Sequence, residues 1–275
     1  MKRTILITGC SSGIGYDAAH GLTRAGWRVF ATCRKPKDCA RLRDEGLESF
    51  PLDLDDNDSI KAAVREVLDR TGGTLDALYN NGAFAVPGPV EDLPREALRA
   101  CFETNLFGTH DLTRQVIPIM RAQGHGTIIN CSSIIGFVPM KWRGAYVASK
   151  YALEGLTDTL RLEMADTPIS VTLLEPGPIR SNIRANAIVQ FEKWFDWENS
   201  ARAEQYRASL LKKLYKGSGN SFFQLEPGAC TRKILAILES KSPPPRVFVT
   251  TPTYGFNVLR RILTTRALDR IIGRG

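Results

Sequence analysis

Short apolar runs of strand type alternate along the chain with longer stretches whose apolar residues recur at helical spacing. Ile5-Leu6-Ile7 opens the series. Ala18, Ala19 and Leu22 then repeat at helical spacing up to Gly26, and Val29-Phe30-Ala31-Thr32 reads as a second strand. A third strand is predicted over 47–52, a helix over 58–68 and a fourth strand over 77–79. A long helical stretch covers 94–123, followed by a strand at 127–130, a helix over 145–164 and a strand at 171–174. Continuously apolar strands between helices describe a parallel sheet covered on both faces. The expected class is α/β, with helices on both sides of a doubly wound parallel sheet.

The alternation breaks from Asn182 to Phe223. This stretch is helical and charged, and eight of the chain's 23 aromatic residues fall within 191–223: Phe191, Trp194, Phe195, Trp197, Tyr206, Tyr215, Phe222 and Phe223. A helix at 225–238 and a strand at 247–249 restore the pattern. Ser242-Pro243-Pro244-Pro245 is a rigid connection rather than a domain linker, because a strand follows at once. The chain therefore reads as one domain over 1–275, with an insertion over 180–225 and a tail over 253–275.

Composition narrows the class little. At 43% hydrophobic and 24% charged, 275 residues are neither a disordered nor a collagen-like chain. Cys10, Cys33, Cys39, Cys101, Cys131 and Cys230 form no C-x-x-C pair, and His20, His110 and His125 stand apart. No metal site or disulfide framework is expected; reduced thiols in the cytoplasm are the simple reading. Lys2 and Arg3 precede an apolar run that ends at Ile7, too short for a signal peptide. No run approaches the ~20 residues needed to span a bilayer.

Charge changes the picture more. The net charge is +8, yet 20 Lys and Arg up to Glu175 face 22 Asp and Glu, whereas beyond it 17 face 7. In the tail, Arg260, Arg261, Arg266, Arg270 and Arg274 alternate with Leu259, Ile262, Leu263, Leu268, Ile271 and Ile272. This cationic, amphipathic pattern suits a terminal helix packed on its own domain with its arginines in water. It also suits a helix laid on an anionic membrane. It lacks the interleaved aromatics of a nucleic-acid binder, and no nucleic-acid partner is expected.

Gly9, Gly13 and Gly15, with Ser11, Ser12 and Ile14 among them, lie between the first strand and the first helix. Glycine lets the backbone turn sharply and approach a diphosphate, and a helix start favours the anion. The spacing G-x-x-x-G-x-G departs from G-x-G-x-x-G, and a loop that needs glycine only to turn is the alternative. After the second strand, where an acid would bind the ribose 2′-hydroxyl of NAD, Cys33-Arg34-Lys35 stands instead. Arginine pairs with a 2′-phosphate, so NADP(H) is expected over NAD(H), against the plainer reading of solvated loop charges.

Tyr146 and Lys150 are four apart at the start of a predicted helix, on one face. A neighbouring ammonium is expected to lower the phenol's pKa and fit Tyr146 for proton transfer to or from a carbonyl or carbinol oxygen. Ser133, at a strand end, can hold the same oxygen. Y-x-x-x-K alone arises by chance on many helices; its weight comes from the glycine loop and the strand-end serine.

Together these residues resemble the short-chain dehydrogenase/reductase family over roughly residues 3–182. The segments are Thr8-Gly-Cys-Ser-Ser-Gly-Ile-Gly15, Asp53-Leu54, Asn80-Asn81-Gly82-Ala83, Asn105, Ser133, Tyr146-x-x-x-Lys150 and Pro176-Gly177-Pro178-Ile179. The resemblance implies a Rossmann-type doubly wound sheet of about seven strands and hydride transfer with a nicotinamide cofactor. It implies that Tyr146 is the acid/base, that Ser133 positions the substrate oxygen, and that Lys150 binds the nicotinamide ribose. Asn105 would hold a relay water, Asp53 and Leu54 would contact adenine, Asn80 would lie beside the adenosine ribose, and Pro176, Gly177 and Ile179 would flank the nicotinamide. Ser132 is a neighbour that the family's spacing passes over. The family usually reads Asn-Asn-Ala-Gly, so Gly82-Ala83 implies a locally altered backbone with binding retained.

In this family the segment after the Pro-Gly loop forms a substrate lid. Its aromatics here suit either a large apolar pocket or packing against the core or another subunit. Phe84, Val86, Ile135, Val138, Met140 and Trp142 are further candidate walls. The C-terminal layout resembles the hydroxysteroid and retinol dehydrogenase branch, which implies a lipophilic alcohol or carbonyl. The resemblance also implies a homodimer or homotetramer through the helices near 94–123 and 145–164. A non-catalytic NADP-binding sensor or scaffold is the alternative, disfavoured by the intact Ser-Tyr-Lys-Asn set.

Overall fold

The computed structural model describes residues 2–216 and 223–273. Its strands are β1 (Thr4–Ile7), β2 (Arg28–Cys33), β3 (Glu48–Pro51), β4 (Ala77–Asn80), β5 (Gly126–Cys131), β6 (Ile169–Glu175) and β7 (Arg246–Phe248). They form one parallel sheet in the order β3-β2-β1-β4-β5-β6-β7. The helices are α1 (Gly13–Arg24), α2 (Pro36–Asp44), α3 (Asn57–Thr71), α4 (Arg95–Phe102), α5 (Thr109–Gln123), α6 (Gly144–Glu163), α7 (Ile183–Trp194), α8 (Ala203–Gln205), α9 (Gly228–Glu239), α10 (Thr251–Ile262) and α11 (Thr265–Ile272).

Successive strand residues point to opposite faces, so each strand feeds two cores. Ile5 and Ile7 join Tyr79 and Ile129 beneath Leu22 of α1 and Ile234 of α9. Leu6 joins Phe30, Leu78 and Ile128 beneath Ile60 of α3 and Val116 of α5. Both faces are covered, which is why the strands read as unbroken apolar runs. This is the seven-stranded, doubly wound sheet expected.

Two elements ahead of the insertion differ from the sequence reading. α2 was not predicted, because only Cys39 and Leu42 of its nine residues are buried and its charges mask so short a stripe. Pro36 at its first turn is the signal that marks it. The single helix expected over 94–123 is interrupted by a π-helical turn, Glu103–Gly108, between α4 and α5. A side chain at Gly108 would strike the Leu54 carbonyl, so glycine lets this turn lie against the loop after β3.

The excursion between β6 and α9 is pinched at its base. Ile179 and Leu225 form an isolated parallel bridge, the Arg180 N–H donates to the Leu225 carbonyl, and the Leu225 N–H donates to the Pro178 carbonyl. Most of its aromatics turn inward. Phe191 and Phe195 stack with centroids 5.6 Å apart, and Phe191, Trp197 and Trp142 gather around the fully buried Tyr206. The Tyr206 hydroxyl donates to Asp92 at 2.9 Å, tying the excursion to the loop after β4. Tyr215 and Phe223 are exposed. Phe222 and Arg274 lie outside the described residues.

Candidate active site

The chain leaves β1 toward one edge of the sheet and returns at β4 toward the other, so a crevice opens where the carboxyl ends of β1 and β4 diverge. The glycine loop occupies this point. Gly9 and Gly13 have φ of 72° and 61°, left-handed values that favour glycine. A Cβ on Gly9 would stand 2.7 Å from Cα of Gly82, and one on Gly15 would stand 2.5 Å from the Gly9 carbonyl oxygen. Asn81 braces the loop: its amide donates to the carbonyls of Thr8 and Gly9 at 3.0 and 3.1 Å. The backbone N–H groups of Asn81 and Gly82 both donate to the Thr8 hydroxyl. Gly82 is thus integral to the turn.

Ser12 stands at the N-cap of α1 but makes no side-chain cap, which leaves the N–H groups of the first turn to an incoming anion. Arg34 and Lys35 are exposed just beyond the end of β2. Arg41 of α2 donates to the Ser11 carbonyl at 2.6 Å, a brace that sequence reasoning missed along with its helix. Asp53 and Leu54 follow β3, with the Asp53 N–H held by Ser59 Oγ. The Asn80 side chain is committed inside the fold: its amide donates to Thr113 and Asn130 at 2.9 and 2.8 Å. The loop, the basic pair and the uncapped helix start fit a dinucleotide carrying phosphates.

The second cluster lies at the ends of β4 and β5. Tyr146 and Lys150 are buried on the first turns of α6. Lys150 Nζ donates to the Cys131 carbonyl at 2.7 Å and stands 5.7 Å from the centroid of the Tyr146 ring. Ser133, two residues beyond Cys131, caps the turn Ile134–Gly136 by accepting from the Ile135 N–H. Asn105 is buried in the π turn. It accepts from the Phe84 N–H, and it donates to the Phe84 carbonyl and to Ser149 Oγ at 2.9 and 3.0 Å. It thereby joins the loop after β4 to α6. Pro176 reaches the same place: its carbonyl accepts from the Ile134 N–H at 2.7 Å. Gly177 packs so closely on Thr250 and Thr253 that a side chain there would collide with both.

The electrostatics differ from expectation. Burial pushes the Tyr146 phenol up, the neighbouring thiols of Cys131 and Cys101 add to the rise, and Arg143 opposes it. Burial also lowers Lys150. Desolvation, rather than the neighbouring ammonium, therefore governs the phenol. A phenol held up in this way carries its proton at neutral pH.

Ser132 has a distinct place. Its hydroxyl donates to Glu154 Oε1 at 2.7 Å, and Arg246 Nη1 bonds both Glu154 Oε2 and Glu175 Oε1, at 2.8 and 2.5 Å. Glu154 follows Lys150 by one turn of α6, and Glu175 directly precedes Pro176. A side chain at Gly136 would collide with both Ser132 and Glu154. The network links the strand end that carries Ser133, the helix that carries Tyr146 and the Pro-Gly loop. No short-range pattern in the sequence announces it.

Of the six candidate walls, Phe84, Val86, Ile135 and Trp142 share an apolar cluster with Tyr146, Phe191 and Phe195. Val138 is buried but lies outside that cluster, and Met140 is exposed. Trp142 has φ of 66°, unusual for a bulky residue, and its carbonyl accepts from the Gly88 N–H at 2.9 Å.

Comparison with known proteins agrees with this geometry. The family profile described as short chain dehydrogenase matches residues 3–190. The uncharacterized oxidoreductase YbbO of Escherichia coli is 37% identical over 99% of this chain and 94% of its own length. A 3-ketodihydrosphingosine reductase of Bacteroides thetaiotaomicron is 32% identical over 89% of this chain and 87% of its own. Among solved structures, a variant of actinorhodin polyketide ketoreductase with NADPH superimposes at a TM-score of 0.72 with 27% identity, covering 90% of this chain and 95% of its own. An enzyme from Burkholderia phymatum in complex with NAD shares the fold at a TM-score of 0.80, with 21% identity over 94% and 93%.

Proposed function

The chain belongs to the short-chain dehydrogenase family, and on that premise we propose that it is an NADP(H)-dependent oxidoreductase that interconverts lipophilic carbonyls and their alcohols. The observation that carries the reading is the meeting of Tyr146, Lys150 and Asn105 beside Ser133, at the crevice that the glycine loop opens. The bound nicotinamide supplies or accepts the hydride. The chain's own residues handle the proton and the orientation. In reduction, the Tyr146 phenol gives its proton to the carbonyl oxygen, and in oxidation it takes the proton back. Ser133 Oγ donates to that oxygen. Lys150 holds the nicotinamide ribose, and its charge balances the phenolate once the proton has moved. Asn105 anchors the relay of protons beside the lysine.

Gly9, Ser11, Ser12, Gly13, Ile14 and Gly15 take the diphosphate, Arg34 takes the 2′-phosphate, and Asp53, Leu54, Asn80 and Gly82 line the adenosine end. Pro176, Gly177 and Ile179 flank the nicotinamide. The segment 180–225 closes over the substrate as a lid. The partly buried Phe84, Ile134 and Trp142, packed on the apolar cluster that holds Tyr146, support a lipophilic substrate, as does the likeness to a 3-ketodihydrosphingosine reductase. We place the enzyme in the cytoplasm as a homodimer or homotetramer. Among the described residues no helix is long and apolar enough to cross a membrane.

Tyr146→Phe tests the mechanism. Turnover of a lipophilic ketone with NADPH is expected to fall by roughly 10²- to 10⁴-fold while NADPH binding, followed by fluorescence, is kept. Retained turnover removes Tyr146 from the chemistry. Cofactor binding by the wild type without turnover of any carbonyl in a broad panel would favour a sensor or scaffold.

A further inference from the structure

We infer that the C-terminal tail is a docking surface for anionic lipid membranes. The root of α10 is fixed to the domain. Thr253 is fully buried and closes with Thr250 over Gly177. Phe248 meets Tyr254 with ring centroids 5.3 Å apart and Phe137 at 6.0 Å, and the Arg260 guanidinium lies 5.2 Å from the centroid of the Phe137 ring. The far end of the tail is held as well, because Lys141 Nζ donates to the Gly273 carbonyl at 3.1 Å. Both helices are therefore tied to the loop that follows Ser133.

What remains outside is unusual for a surface in water. Tyr254, Val258 and Ile262 are spaced four apart and form one exposed stripe on α10, with Val258 55% and Ile262 69% exposed. No residue of α11 is buried, and Ile271 adds to the exposed apolar surface. Arg261, Arg266 and Arg270 are exposed on the same two helices, and among the described residues none of them has a carboxylate at ion-pair distance. Asp269 is the sole acid within 251–275.

Charge decides what covers such a face. A second copy of this chain, docked by twofold symmetry, would bring the same arginines against each other, and like charges repel. A nucleic acid would match the arginines, but its outer surface is phosphate and sugar and gives Val258 and Ile262 no continuous apolar face. The surface of an anionic bilayer meets both needs: headgroup phosphates take the arginines, and the acyl boundary takes the aliphatic stripe. Docking there holds the loop after Ser133 at the lipid surface, where a lipophilic carbonyl partitions. That last step rests on the proposed reaction; the docking does not.

Sedimentation of the full chain with vesicles of phosphatidylglycerol and phosphatidylcholine, against phosphatidylcholine alone, tests the proposal. Pelleting is expected with the anionic vesicles only, and is lost at high salt. The double change Arg266→Gln, Arg270→Gln is expected to weaken it about fivefold per arginine removed. Val258→Gln with Ile262→Gln leaves the charge unaltered and is expected to abolish it. These positions are exposed and outside the candidate site, so folding, followed by thermal unfolding, is expected to be retained. Absence of pelleting with anionic vesicles overturns the proposal. So does pelleting that the Val258 and Ile262 changes leave untouched. A shift in oligomeric state of that variant without lipid would assign the stripe to a second copy, and tight binding of duplex DNA by the wild type without vesicle binding would assign the arginines to nucleic acid. Turnover is not read in this experiment, so its failure leaves the proposed reaction standing.

Discussion

Arg34 stands just past the end of β2, exposed, at the place where a carboxylate would select a free ribose hydroxyl. A guanidinium there pairs with a phosphate and has no equivalent gain from a hydroxyl. Arg34→Asp is therefore expected to weaken NADPH roughly tenfold or more while NADH changes little, as read from the two dissociation constants. Equal effects on both cofactors would detach Arg34 from the choice. At this scale the sequence is informative where partners are close along the chain. Tyr146 and Lys150 share a helix face by spacing alone. The sequence is silent where partners are remote: Asn105 reaches Phe84 and Ser149, and Ser132 reaches Glu154, only because the fold brings them together.

Elements add a second kind of information. The end of β6, one face of α6 and the start of β7 meet at Glu175, Glu154 and Arg246, with Asp158 bonding the same guanidinium at 2.5 Å. Glu175 is fully buried, and its carboxyl is pushed up to about 8 by burial and by the charge of Glu154, against the pull of Arg246. The folded chain then keeps a proton that the unfolded chain releases at the ordinary carboxylate value of 4.5. The stability this proton contributes is complete below about 4.5 and is lost as the pH rises through about 8. The thermal midpoint of the wild type is expected to fall across that window. Glu175→Gln, which is neutral at every pH, is expected to flatten the fall. An unchanged slope in that variant would exclude Glu175 as its source. Most elements were legible from their apolar spacing. α2 was not, because two buried residues make too short a stripe. The π turn around Asn105 was not, because it keeps helical spacing while closing on Leu54.

For the molecule as a whole, burial governs the thiols as it governs the tyrosine. Cys10, Cys33, Cys39, Cys101, Cys131 and Cys230 are all buried and unpaired. Burial pushes Cys33 up to about 12 and Cys101 up to about 11. Buried thiols are out of a reagent's reach, so a disulfide reagent at neutral pH is expected to label none of the six rapidly in the folded chain and all six in denaturant. Fast labelling of any thiol in the native state would contradict this burial.

Sequence alone carries the order of the seven strands and of most helices between them, the glycine loop, the basic pair after β2 and the Tyr-Lys pair. Each is written within a turn or a strand, where the spacing of side chains follows from backbone geometry. It also determined that the excess charge lies beyond Glu175. Where that charge and the aromatics face follows from the tertiary fold. It turned Phe191, Phe195 and Tyr206 inward and left Val258, Ile262, Arg261, Arg266 and Arg270 outside. It also directed Lys150 to a backbone carbonyl and joined Ser132 to Glu154. Such pairings depend on desolvation and on contacts between residues far apart in the chain, which no local spacing encodes.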